Sequence, residues 1–351
     1  MQNIKSVLTT SIIIVSLIIP LIGICLLYDP NIKFEITNYI ISITIFTIYQ
    51  SFLSALISLI IGSIFAYYLK KNSEIGIIKL IVNLLSILFV MPTIIIVLGM
   101  LTFFNSFTNI YGPFGIVFCH VILNLPLATR IIYQSLNDIS GNEYILAEQM
   151  GLKKFETFLA TEWQIIKKNA PSLFALIFFI CFVSFTPVLI LGGSPKYSTI
   201  EVSIYQSVVF LNNYNTAFYL LIMQLLICSI IFFLTFKNFK SENFFLDDRK
   251  IYTKNKISFK NKLTDYSVII FISLTLFISP IAIFFKGINF KFFDVFSSDY
   301  FLSSLLDTLL ICVGSGILSL LFTLNILQIL DRSKKSYEYL LYIFLVLSPG
   351  I

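Results

Sequence analysis

Residues 113–192 read PFGIVFCHVILNLPLATRIIYQSLNDISGNEYILAEQMGLKKFETFLATEWQIIKKNAPSLFALIFFICFVSFTPVLILG. Two apolar runs, 113–135 and 171–192, flank a polar segment. Each run has the roughly 20 residues that cross a bilayer as a helix. The segment between them, 137–170, is patterned rather than linker-like. Glu143 to Met150 are helix formers, with Ile145, Leu146 and Met150 on an apolar side. Gly151 breaks that pattern. Lys153 to Ile166 resume a helical period, placing Phe155, Phe158, Leu159, Trp163 and Ile166 on one stripe. The expectation is two short amphipathic helices meeting at a glycine bend on the membrane face. Pro171 suits the first turn of the following span. An apolar ridge of this kind needs cover, either from lipid as an interfacial anchor or from a partner protein.

Working outward, the composition fits a membrane protein. Apolar residues make up 58% of the chain and charged residues 12%, against roughly 45–50% and about 25% in a soluble domain. Nine runs qualify as spans: 7–27, 46–69, 77–104, 113–135, 171–192, 217–236, 266–286, 301–330 and 337–351. The first is too long for a signal-peptide core and reads as a retained span. The third and eighth exceed what a bilayer requires, so tilt or overhang is expected. With the N-terminus inside and strict alternation, 20 of the 24 lysines and arginines fall on the inner side. That bias sets the orientation and puts 137–170 in the cytoplasm. The net charge of +6 therefore belongs to inner loops rather than to a nucleic-acid surface. Five cysteines all lie in apolar runs, none at a metal-ligand spacing, and there is one histidine.

The stretch 237–265 is the most polar and reads as a cytoplasmic linker, able also to touch anionic lipid. It divides the chain into a first membrane half, 1–236, and a second, 266–351. A weak internal repeat supports the division. Residues from Gln50 and from Asp307 each give a span, a basic turn and a span with a late proline. Pro92 and Pro349 fall at matching places, about 257 residues apart.

The polar loop resembles the cytoplasmic "EAA" loop of ABC importer permeases. The likeness lies in Ala147, Gly151 four residues on, and then Thr161, Glu162 and Trp163. The family's leading Glu-Ala pair falls on Ile145 and Leu146, and its late proline on Gln164. Leu191, Gly192, Gly193, Pro195 and Ser198 to Gln206 are similar to the thiamine importer permeases, relatives of the iron(III) permeases. The resemblance implies an all-α, polytopic membrane helix bundle of the type I (MetI-like) fold, with about nine of about twelve spans present. It implies a multi-pass protein of the inner (plasma) membrane that moves thiamine or its phosphates. It also implies that Ala147, Gly151, Phe155, Phe158, Glu162 and Trp163 couple the bundle to a separate ATPase dimer. ATP and Mg would bind that partner, and this chain would hold no cofactor. A periplasmic or extracellular binding protein would deliver substrate. By the repeat offset a second loop is expected near roughly residues 402–420, so this chain would hold one half and the start of another. A second permease half or copy would complete it.

Other polar groups in the spans are candidates too. His120, Tyr205 and Gln206 are candidates for the substrate pathway. Asn83, Asn124 and Gln224 are expected to hydrogen-bond between helices. Pro92, Pro126 and Pro187 are expected to kink their spans. Asp307 is placed near the outer start of its span. No phosphate-cradling glycine loop is present, so the chain is not expected to be an enzyme. Three alternatives stay open. They are an iron(III) importer permease, a non-functional remnant, and an ion-coupled secondary transporter, which would need more acids within its spans.

Overall fold

In the computed structural model, residues 37–104, 107–236, 259–288 and 292–332 are described, together with 19, 22, 23, 26 and 29. Most of the span expected at 7–27, all of that expected at 337–351, and most of the linker 237–265 lie outside the described residues. Thirteen helices are present among them. Six are long and apolar enough to cross a membrane, and a bent pair raises the number to as many as seven. The chain divides into two compact units.

The larger unit comprises 36–202 and 233–283. Its helices are α1 (Asn38–Lys71), α2 (Gly76–Val90), α3 (Thr93–Phe104), α4 (Pro113–Asn137), α5 (Gly141–Gln149), α6 (Lys154–Ala160), α7 (Glu162–Phe182) and α8 (Thr186–Leu191). Most of α11 (Phe259–Gly287) and the start of α9 (Ile200–Val209) also belong to it. The Thr37 hydroxyl caps α1 by accepting from the Ile40 amide. Lys70 and Lys71 close its last turn, where the helix dipole favours cations. The buried face of α1 is built of small residues, among them Ser51, Ala55, Ser58 and Gly62. Small residues let membrane helices approach closely. A Cβ added at Gly62 would lie 2.7 Å from the Cβ of Ala128 on α4.

Helices α1 and α4 run parallel. At one end, Lys70 Nζ donates to Asn137 Oδ1 at 2.8 Å. At the other, the Tyr197 ring lies 5.8 Å from that of Phe46 and packs on Gly112. The chain must return between them, and α2 with α3 carries it back. The expected third span is therefore not one tilted helix but two pieces bent by 104°. Met91 is extended, as a residue before proline prefers, and Pro92 cannot continue the ladder. The expected kink at Pro92 is thus a full break. Past it, Gly99 packs so tightly on the Ser279 carbonyl of α11 that an added Cβ would sit 2.1 Å from the oxygen.

Helix α7 also departs from expectation. It begins at Glu162, and Pro171 lies inside it rather than in its first turn. The proline leaves the Lys167 carbonyl without its intrahelical donor. Lys167 and Lys168 are both exposed, so water can serve that carbonyl. The span expected to reach 192 ends at Phe182 and resumes as α8. The turn beyond α8 explains its glycines. A Cβ on Gly192 would lie 2.3 Å from the Tyr197 carbonyl oxygen, and Gly193 has φ +61°. The Ser194–Pro195 bond in this turn is cis. The Gly112 amide donates to the Leu191 carbonyl at 2.7 Å, and the Ile200 amide to Thr47 Oγ1 at 3.0 Å.

The smaller unit comprises 1–35, 203–232 and 284–351. It holds most of α10 (Tyr214–Phe236), α12 (Phe292–Phe296) and α13 (Asp299–Arg332). Asn215 is the buried anchor of α10: its amide group donates to the Asp29 carbonyl at 2.7 Å, and its oxygen accepts from the Asp29 amide at 2.9 Å. Asp307 lies eight residues from the start of α13, about two turns along this 34-residue helix.

Candidate functional site

The loop between α4 and α7 is built from α5 and α6 and sits at the end of the unit marked by Lys70 and Asn137. Its expected glycine bend has a defined chemistry. Gly151 adopts φ +69°, its amide donates to the Glu148 carbonyl at 3.0 Å, and the Leu152 amide donates to the Ala147 carbonyl at 3.1 Å. This pair of bonds is a Schellman motif, which ends a helix with a left-handed residue. The four-residue spacing from Ala147 to Gly151 follows from it. Ala147 contributes the carbonyl and a small buried side chain, and Gly151 the left-handed backbone.

The second helix of the loop is shorter than its periodicity suggests. Lys153 caps α6, its amide donating to Glu156 Oε2 at 2.7 Å. At Thr161 the backbone turns out of helical geometry, with φ −112° and ψ −81°. Trp163 and Ile166 therefore belong to α7. The break is fixed by polar contacts. Thr161 Oγ1 donates to the Thr157 carbonyl at 2.8 Å and is in close contact with Glu162 Oε2. The Tyr144 hydroxyl of α5 is hydrogen-bonded to the Glu162 carboxylate. Burial, and then the adjacent Glu162 charge, push the Tyr144 phenol well above its ordinary value. Glu162 is buried, so it fastens α5 to α7 instead of presenting a charge to solvent.

The apolar residues divide between seat and surface. Phe158 stacks edge-on against Tyr67 near the end of α1, with ring centroids 5.2 Å apart, and lies 6.4 Å from the Trp163 ring. Ile166 is buried. Phe155, Leu159 and Trp163 remain exposed, joined by Ile145, Leu146 and Met150, of which Met150 is 75% and Phe155 69% exposed. The expected stripe is thus split, with Phe158 and Ile166 turned to the seat and the rest outward.

Of the pathway candidates, His120 is buried in the larger unit, its Nε2 2.8 Å from Ser184 Oγ in the break between α7 and α8. Asn124 Nδ2 donates to the His120 carbonyl at 2.8 Å and contacts Cys181 Sγ at 3.3 Å. Gln50 Nε2 of α1 donates to the Cys181 carbonyl at 3.0 Å. These groups form one buried polar seam joining α1, α4 and α7. Tyr205 and Gln206 lie on α9 in the smaller unit, with Tyr205 edge-on to Phe210 at 5.8 Å. Asn124 bonds between helices as expected, whereas Asn83 is exposed. Sequence reasoning passed over Gln50, Tyr144 and Ser184. A glutamine inside an apolar run was the available signal for the first.

No protein-family model matches the chain. It is 32% identical over 213 residues to the thiamine transport system permease protein of Haemophilus influenzae, a match covering 56% of this chain and 39% of that protein. To the protein of the same name from Escherichia coli it is 28% identical over 307 residues, covering 83% of this chain and 57% of the relative. The counterpart from Salmonella typhimurium is 27% identical over the same length. The chain thus spans between about two fifths and three fifths of the length of these relatives. In sequence the chain is thus similar to thiamine transport permease proteins, and six to seven spans among its described residues are long and apolar enough to cross a membrane.

Proposed function

We propose that the chain is membrane-spanning permease of an ATP-driven importer for thiamine or its phosphates, and that the α5–α6 loop couples it to a separate ATP-hydrolysing subunit. The loop then faces the cytoplasm of an inner-membrane protein, and a binding protein delivers cargo from the opposite side. One observation carries the coupling role. The loop presents exposed Met150, Phe155, Leu159 and Trp163 on a frame locked by the Gly151 motif and by the Tyr144–Glu162 contact. An apolar ridge on a fixed frame moves as one piece with α4 and α7, which is what a lever between two subunits requires. The cargo reading is supported by the names of the relatives.

The test is uptake of radiolabelled thiamine into vesicles that hold the full transporter, its ATPase and its binding protein. Phe155→Glu with Trp163→Glu is expected to cut ATP-driven uptake at least about tenfold while the permease still inserts, because charge on the ridge must be desolvated on docking. Uptake that survives both charges, or that follows an ion gradient without ATP, would overturn the coupling role.

A further inference from the structure

Away from the loop, a half-open groove of about 260 Å³ lies along α4 beside the end of α2, lined by Phe89, Pro126, Leu127, Arg130, Ile131 and Gln134. Arg130 is exposed and makes no ion pair among the described residues. Its guanidinium donates to Ser86 Oγ of α2. One hydroxyl satisfies one of five donors, so most of a permanent charge is left for another acceptor. Lys79 lies two turns from Ser86 on the same face of α2, about 10 Å along the axis, and Asn83 stands between them. Both are exposed.

Depth and surroundings narrow the acceptor. Arg130 is seven residues from the end of α4 at Asn137, beside Lys70. That is about 10 Å of helix, within reach of a bilayer surface for a snorkelling side chain. Ile87, Phe89 and Val90, at the far end of α2, are exposed apolar groups suited to acyl chains. The groove is a little below the ~300 Å³ at which pockets for whole small molecules begin. That volume is room for a headgroup with its acyl chains left outside.

We propose that this groove binds the phosphate of an anionic phospholipid headgroup, with Arg130 as its principal cation and Lys79 as a second one nearer the surface. The inference needs the chain to span a membrane and is independent of the cargo. Arginine matches phosphate with a planar fork, and a juxtamembrane cation attracts anionic lipid.

The test uses the full chain purified from vesicles of phosphatidylcholine with phosphatidylglycerol, with retained lipid read by native mass spectrometry. The wild type is expected to keep a phosphatidylglycerol adduct. Arg130→Gln should lower its occupancy at least about tenfold, Arg130→Lys less, and Lys79→Gln about threefold. An unchanged adduct in Arg130→Gln, with an unchanged melting curve, overturns the proposal. So does displacement of the lipid by added thiamine diphosphate with the same dependence on Arg130, which would make the phosphate that of cargo. If Arg130→Gln does not fold, Lys79→Gln decides alone, and no loss of adduct there overturns the proposal.

Discussion

Helices α1 and α13 have the same length, 34 residues, and related patterns, yet 39% of the most apolar stretch of α1 is buried and none of that of α13. Both carry a stripe of small residues at helical spacing. On α1 it runs through Thr47, Ser51, Ala55, Ser58, Gly62 and Ala66, all buried. On α13 it runs through Ser304, Thr308, Cys312, Ser315, Ser319 and Thr323, all exposed. A constant offset of about 257 residues relates the two sets, the same offset that relates Pro92 to Pro349. A small-residue stripe is therefore only half of a helix contact. Lipid tails do not drive membrane helices together through hydrophobicity, so the stripe stabilises only when a second helix reaches it. Helix α4 does this for α1, at Ala128 against Gly62.

The largest effect should come from filling the stripe. Gly62→Leu puts a branched side chain where even a Cβ would be 2.7 Å from Ala128. Overpacking of this kind costs about 1–3 kcal/mol. Ser319→Leu, at the matching place on α13, meets open surroundings and should stay within about 0.5 kcal/mol. Thermal unfolding of the two purified variants in one detergent measures the difference. Equal losses would break the comparison, because they would require α13 to be as closely covered as α1.

A smaller effect distinguishes the polar members. Gln50 reaches across to the Cys181 carbonyl of α7. Gln50→Leu keeps the volume and loses that bond, at a cost of roughly 0.6–1.7 kcal/mol for a hydrogen bond within a membrane bundle. Asp307, its counterpart on α13, is an exposed carboxylate in an apolar helix. Asp307→Leu should shift in the opposite direction and raise the yield of inserted protein, because a charge in a span opposes insertion. A drop in yield would show that Asp307 is paired in the membrane.

These two helices also show what was legible beforehand. The existence of both follows from run length and the absence of charge, and their kinship from the repeat. Burial does not follow, because it depends on which neighbour arrives. The same limit explains the loop. Periodicity runs unbroken from Lys153 to Ile166, so nothing local reveals the break at Thr161. That break depends on Tyr144, seventeen residues earlier, meeting Glu162. The Gly151 bend, by contrast, was legible, because glycine at that place has a local cause. At Pro92 the proline signalled a kink, but its size of 104° is set by the return of the chain between the parallel helices α1 and α4.

The smallest effect tests whether α1 does more than pack. Tyr67, in its last turns, is the ring on which Phe158 of the loop rests, 5.2 Å away. The matching residue on α13 is Leu324, which is exposed. Such an aromatic pair contributes about 0.5–1.5 kcal/mol beyond its buried area. Tyr67→Leu should therefore leave the bundle folded but loosen α6 from its seat. Limited proteolysis should then cut within 151–161 about threefold to tenfold faster than in the wild type, the rate ratio that such an energy sets when local opening precedes cleavage. Leu324→Ala should change nothing in the loop. If cutting is unchanged in Tyr67→Leu, the loop is held by the Tyr144–Glu162 contact alone. The end of α1 would then carry no part of the lever, and its difference from α13 would be one of packing only.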